Sequence, residues 1–157
     1  MKILVVSDTH RKFSYLIDVM QRHSNAEIVI FLGDGEEDME YARYAFPEKA
    51  VMSVRGNCDF ASSLPLSDTF TIESYKLFFA HGHTYNVKST QEHIIAAARG
   101  CGAHICLFGH THCPVNTYND GLYIMNPGSL GHPRNGTPTY GLIDISPAGI
   151  SMNIVNY

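Results

Sequence analysis

The chain is 157 residues long, 45% hydrophobic and 17% charged, with a net charge of −4 at neutral pH. That length suits one domain, residues 1–157, with enough chain to bury a core, and the apolar content argues against disorder. The acidic balance and the lack of a Lys/Arg cluster exclude the basic face that long nucleic acid requires, and no apolar run approaches the roughly 18 residues of a membrane span.

Taken in order, Lys2 to Ser7 is a β-branched run that reads as a central parallel strand rather than a signal peptide. Phe13, Leu16, Ile17 and Met20 carry the i, i+3, i+4, i+7 spacing of an amphipathic helix. Glu27 to Leu32 is a second buried strand. A helix is expected from Glu36 to Phe46, with Met39 and Ala42 inward and Pro47 closing it. Ala50 to Val54 is a third strand.

The pattern then changes. Thr69–Glu73 and Lys76–Ala80 read as a hairpin joined at Ser74-Tyr75. Ser89-Thr90-Gln91-Glu92 has the form of a capping box opening a helix that Gly100 ends. Ala103 to Phe108 is a further buried strand. Hairpins are expected around Asn119-Asp120-Gly121 and around Pro147, with a turn at Asn126-Pro127-Gly128-Ser129 between them. A βαβαβ half followed by a strand-rich half predicts an α/β fold in which two sheets pack face to face with helices outside. Cys58, Cys101, Cys106 and Cys113 form no CxxC pair, so a zinc ribbon is not expected; with no secretion signal read at the start, free thiols in a reducing, cytoplasmic compartment are expected.

Five predicted strands end in polar side chains of one chemistry: Asp8-Thr9-His10, Gly33-Asp34, Gly56-Asn57, His81, and Gly109-His110-Thr111-His112. Sites in α/β sheets form beyond the carboxyl ends of strands. Each residue alone has an ordinary explanation: Asp8 as a helix cap, Asp34 and Asn57 as turn residues, His81 or His83 as a half-buried histidine. Together they supply two carboxylates, one amide and four imidazoles, a set that suits Mn, Fe, Zn, Co or Ni and suits calcium poorly. Seven ligands are too many for one ion and enough for two if a carboxylate bridges. His23, His93, His104 and His132 lack this context and read as surface or packing histidines. No GxxxxGK[ST] loop or GxSxG elbow is present.

With these five motifs the chain resembles the calcineurin-like metallophosphoesterase superfamily, whose pattern is DxH, GD, GNH with an acidic residue, H and GHxH. The short length is similar to the small YfcE-like phosphodiesterase branch. The resemblance implies a sandwich of two mixed β-sheets flanked by helices. It implies one metal on Asp8, His10, Asp34 and His112, and a second on Asp34, Asn57, His81 and His110, with Asp34 bridging. Where the family often has a histidine after Gly-Asn, this chain has Cys58, and the Asp59 that supports such a histidine remains.

The implied function is hydrolysis of a phosphodiester by a metal-bridging hydroxide. Two divalent ions are expected, Mn2+ first, with Ni2+, Fe2+, Co2+, Zn2+ or Mg2+ as substitutes. Asn57, His81, His110, Cys58 and Asp59 are the candidate catalytic residues, and Arg11 and Arg134 the candidate phosphate contacts. The expected substrate is a small phosphodiester or short oligonucleotide, with a homo-oligomer left open. The alternative is a metal-binding interaction scaffold of the retromer-subunit type.

Overall fold

The computed structural model describes residues 1–157. The first half forms β1 (Lys2–Val6), α1 (Phe13–Arg22), β2 (Ile28–Phe31), α2 (Glu36–Ala45) and β3 (Ala50–Ser53). The second half forms β4 (Ser67–Ile72), β5 (Tyr75–Ala80), a short 3-10 turn (His83–Tyr85), α3 (Glu92–Gly100) and β6 (Ile105–Phe108). It finishes with β7 (Val115–Asn119), β8 (Leu122–Asn126), β9 (Thr139–Ser146) and β10 (Gly149–Asn156).

These strands make two mixed five-stranded sheets, in the orders β10-β9-β1-β2-β3 and β4-β5-β6-β8-β7. The last hairpin returns to the first sheet, where β9 pairs antiparallel with β1 and leaves β1 central.

The two-residue period of each strand assigns its two faces. On β1, Ile3 and Val5 point between the sheets, where they join Leu77 and Phe79 of β5 and Ile105 and Leu107 of β6 in one apolar cluster. Leu4 and Val6 point the other way, into a second cluster with Leu16, Val19 and Met20 of α1 and Met39 and Ala42 of α2. Phe78, Cys106 and Phe108 pack on Ile94 and Ala98 of α3 in a third. The layers are therefore helices, sheet, sheet, helix, the architecture expected from the sequence.

Three local expectations are corrected. The inward face of α1 is Leu16, Val19 and Met20, with Phe13 37% exposed at the first turn. The β4–β5 turn is Glu73-Ser74, because Ile72 pairs with Tyr75 and Glu73 adopts φ 53°. No capping box forms at α3: the Ser89 hydroxyl donates to Asn86 Oδ1, and the Glu92 N–H instead finds Thr90 Oγ1 at 3.2 Å.

Candidate metal centre

All five predicted strand ends meet at one edge of the sandwich. From the first sheet come Asp8 and His10 after β1, Asp34 after β2 and Asn57 after β3; from the second come His81 after β5 and His110 and His112 after β6. The fit is close enough to demand glycine. A Cβ at Gly56 would lie 2.0 Å from Asp34 Oδ1, and one at Gly109 would lie 2.0 Å from Ser7 Oγ.

The ligand atoms gather into three overlapping groups: Asp8 with His10 and His112, Asp34 with His81 and His110, and, between these two, His10 and Asp34 with Cys58. In the first, His112 Nε2 lies 3.1 Å from Asp8 Oδ1 and 3.3 Å from His10 Nε2. In the second, His81 Nε2 lies 3.2 Å from His110 Nδ1 and 3.2 Å from Asn57 Oδ1. Asp34 Oδ2 stands between the groups, 3.5 Å from His81 Nε2 and 3.9 Å from His10 Nε2.

Asp8 and His112 are aimed by partners outside the group. Asp8 is fully buried; its Oδ2 accepts from the Ser7 hydroxyl at 2.6 Å and the His110 N–H at 3.1 Å. Asp8 Oδ1 is buried with no hydrogen-bond partner, facing the His10–His112 pair. His112 Nδ1 lies 2.6 Å from the His132 carbonyl. A carbonyl only accepts, so Nδ1 carries the proton and Nε2 faces the centre.

A buried carboxylate oxygen with no hydrogen-bond partner, and imidazole nitrogens converging to 3.3 Å and 3.2 Å of one another, make a donor set suited to cations. The residues present fit two divalent ions.

The charges follow the packing. Burial alone would raise the Asp8 carboxyl, but His10, His112, His81 and Ser7 outweigh it and hold it well below the usual carboxylate range. Asp34 is likewise lowered to about 2, its burial opposed by His81 and the Cys58 N–H. His81 is raised despite burial, by Asp34 and Asp8, and His112 is raised by the Asp8 carboxylate beside it. Burial and the neighbouring His81 push His110 down to about 4.

One expected role changes. Asp59 does not support the residue at position 58. Its Oδ2 accepts from the N–H groups of Asp34 (2.8 Å) and Gly56 (2.7 Å), and its Oδ1 from those of Gly35 (2.8 Å) and Glu36 (3.0 Å). It clamps the β3 loop to the β2 loop and so positions Asp34. Cys58 is exposed, its N–H donating to Asp34 Oδ1 at 2.7 Å. With no ion bound, partial desolvation of the thiol and the neighbouring Asp34 push it up to about 11.

Arg11 and Arg134 are exposed, and their backbone N–H groups, not their side chains, bond to Asp38 and to the His112 carbonyl. His132, read as a surface or packing histidine, stacks on His10 with centroids 5.0 Å apart. Asp38, Asn126 and Ser129 were not singled out from the sequence as site residues. Asp38 holds the Thr9 hydroxyl at 2.6 Å, Asn126 holds the Gly109 carbonyl at 2.8 Å, and the Ser129 hydroxyl donates to the Asp8 carbonyl at 2.8 Å. The Asn126-Pro127-Gly128-Ser129 turn was the signal for the last two.

A family model described as the calcineurin-like phosphoesterase superfamily domain matches residues 1–148. The probable metallophosphoesterase YsnB of Bacillus subtilis is 32% identical over 146 residues, 92% of this chain and 85% of that protein. Phosphodiesterase YfcE of Escherichia coli K12 is 28% identical over 169 residues, 92% of this chain and 88% of that protein. Among solved structures, a predicted phosphoesterase from Streptococcus pneumoniae superposes with a TM-score of 0.86 at 25% identity, covering 99% of this chain and 88% of that one. Vps29 of Entamoeba histolytica, solved with zinc, gives 0.74 at 20% identity over 99% of both chains, a likeness of fold alone.

Proposed function

The chain belongs to the calcineurin-like phosphoesterase superfamily, and from that premise we propose that it is a dinuclear-metal phosphodiesterase acting on a small phosphodiester. The observation that carries this is the pair of ligand groups sharing Asp34 Oδ2. One ion would take Asp8, His10, Asp34 and His112, and the other Asp34, Asn57, His81 and His110. The mixed oxygen and nitrogen donors favour manganese first among the borderline divalent ions. When bound, the ions supply Lewis-acid charge to a phosphate oxygen and make water a competent nucleophile at neutral pH.

The chain's own residues set up that chemistry. Asp8 and Asp34 stay ionised and present oxygen atoms already stripped of most water. His112 is locked by a carbonyl with Nε2 inward, as is His81, whose Nδ1 lies 2.7 Å from the Leu32 carbonyl. Two carboxylates against two divalent cations leave the centre positive, which favours an anionic phosphate and the charge that develops in the transition state. No arginine side chain is fixed onto the ligand set. That supports a monoanionic diester over a dianionic monoester. A cytoplasmic setting belongs to the same proposal; no helix is long and apolar enough to cross a membrane.

Metal analysis of the purified protein, paired with a screen of phosphomonoesters and phosphodiesters with Mn, Ni, Co, Zn and Mg, tests the reading. Two ions per chain, and diester turnover abolished by chelation and restored by manganese, are expected. Turnover in a rigorously metal-free sample contradicts it. Tight metal binding with no hydrolysis of any ester favours the interaction-scaffold reading.

A further inference from the structure

Beside the metal centre lies a cavity of about 760 Å³. His10, Asp34 and Cys58 line one part of it, so it opens directly onto the ligand set, and α2 and the segment after Cys58 line the rest. Two aromatic rings from different elements line it as well: Tyr41 of α2, 65% exposed, and Phe60, 88% exposed. Neither is carried on a loose support. Phe60 follows Asp59, whose carboxylate takes four backbone N–H groups. Tyr41 rests edge-on against Phe13, centroids 5.8 Å apart.

The charge of the lining is one-sided. Asp38 is spent on the Thr9 hydroxyl and the Arg11 N–H, and Glu40 lies 3.3 Å from Arg43. Glu36 and Glu37 face the same cavity with no cation paired to them, and Arg11 is its one cationic lining residue. An oligonucleotide would bring further phosphates against these carboxylates. A neutral arm would use the rings and leave the carboxylates unanswered. A cation on the arm meets both, since a quaternary ammonium is attracted to aromatic faces as well as to negative charge.

We propose that this cavity selects phosphodiesters in which one alcohol carries a quaternary ammonium, with Phe60 and Tyr41 as the specificity-determining rings and Glu37 as the countercharge. The proposal rests on the phosphodiesterase reading and narrows its substrate class. Hydrolysis adds water across one P–O bond to give a phosphomonoester and an alcohol, and the ammonium takes no part beyond placing the ester.

The test compares probes that differ only in charge. Phosphocholine and 3,3-dimethylbutyl phosphate have the same shape, with nitrogen replaced by carbon. Their dissociation constants are measured by calorimetry on the manganese-loaded protein. Wild type should hold phosphocholine about tenfold tighter, the scale of a cation–π contact backed by a carboxylate. Phe60→Ala and Glu37→Gln should each bring the ratio toward one, and Phe60→Tyr should preserve it. Both sites are exposed, so these chains fold. Turnover of methyl 4-nitrophenyl phosphate is followed in the same samples. Turnover with a wild-type ratio near one overturns the cavity assignment and leaves the phosphodiesterase reading standing. A tenfold ratio with no turnover of any ester supports the ammonium site and removes the phosphodiesterase reading.

Discussion

The Nδ1 of His81 donates to the carbonyl oxygen of Leu32 across 2.7 Å, joining the end of β5 in one sheet to the end of β2 in the other. The bond fixes the ring with Nε2 toward Asp34. His81 and His112 both hold their protons above the ordinary histidine value of 6.5. A metal must displace those protons, so loading should release protons and metal affinity should fall as pH drops. His110, pushed down to about 4, offers no such competition above that pH. Calorimetry from about pH 8 to about pH 6, either side of the free histidine value, checks this. An affinity independent of pH over that range contradicts it.

Asp34 Oδ2 is the oxygen that faces both groups of ligands. Asp34→Asn should therefore empty both positions and lower kcat/KM by at least about 100-fold. Asn57→Ala touches one position and should keep the other ion. Elemental analysis of the two variants decides; two tightly held ions in Asp34→Asn would mean that another group bridges.

Asp59 should act as a stability residue as much as a functional one. Asp59→Asn places an amide donor against backbone N–H groups that now have an acceptor. The loss should be on the order of 3 kcal/mol, the penalty for leaving such donors unpaired. Exposed Phe60→Ala next to it should stay within about 0.5 kcal/mol of wild type. Urea unfolding of the metal-free proteins measures both, and equal midpoints for the two variants would show that the clamp contributes little.

Cys58 stands where the family often has a histidine, and a thiol is a weak hydrogen-bond donor. General acid catalysis is typically worth about 10²–10⁴-fold, and esters with poor leaving groups should show its loss. Cys58→His should restore part of it and flatten the dependence of kcat/KM on leaving-group pKa. Asp59 is too fully engaged to orient the new ring, so the gain should fall toward the lower end of that range. His83 is the other candidate donor, its Nδ1 buried without a partner and its ring 5.4 Å from that of His81. A wild type already indifferent to the leaving group would place the proton donor elsewhere, with His83→Ala the variant to compare.

The residues gathered at the centre were legible because each lies at or just beyond the end of an apolar run, and a short β-branched apolar run bounded by turn residues reads as a buried strand. The two-sheet sandwich followed from the change of rhythm after β3. What supports the centre was less legible. Asp59 and Asp38 look like ordinary loop and helix acids, and their work is to accept backbone N–H groups brought near only by folding. His132 acts through its carbonyl, which every residue type has, so its identity carried no signal. The α3 start failed for the converse reason: Ser89 had the right spacing for a capping box, but Asn86 took its hydroxyl.

Five of the ten non-glycine residues in left-handed backbone are Asp8 (φ 55°), His10 (φ 44°), Asp34 (φ 59°), His110 (φ 66°) and His112 (φ 58°). Each such conformation costs roughly 1 kcal/mol in an L-residue and nearly nothing in glycine. In the absence of metal, then, folding and function pull in opposite directions at the three histidines, whereas Asp8 and Asp34 also accept hydrogen bonds that glycine would leave unpaired. His110→Gly removes a ligand and relieves backbone strain in a single step. A library of variants sorted only for thermal endurance in chelator would drift toward glycine here, and its winners would be the hardiest chains and the least able to hold an ion.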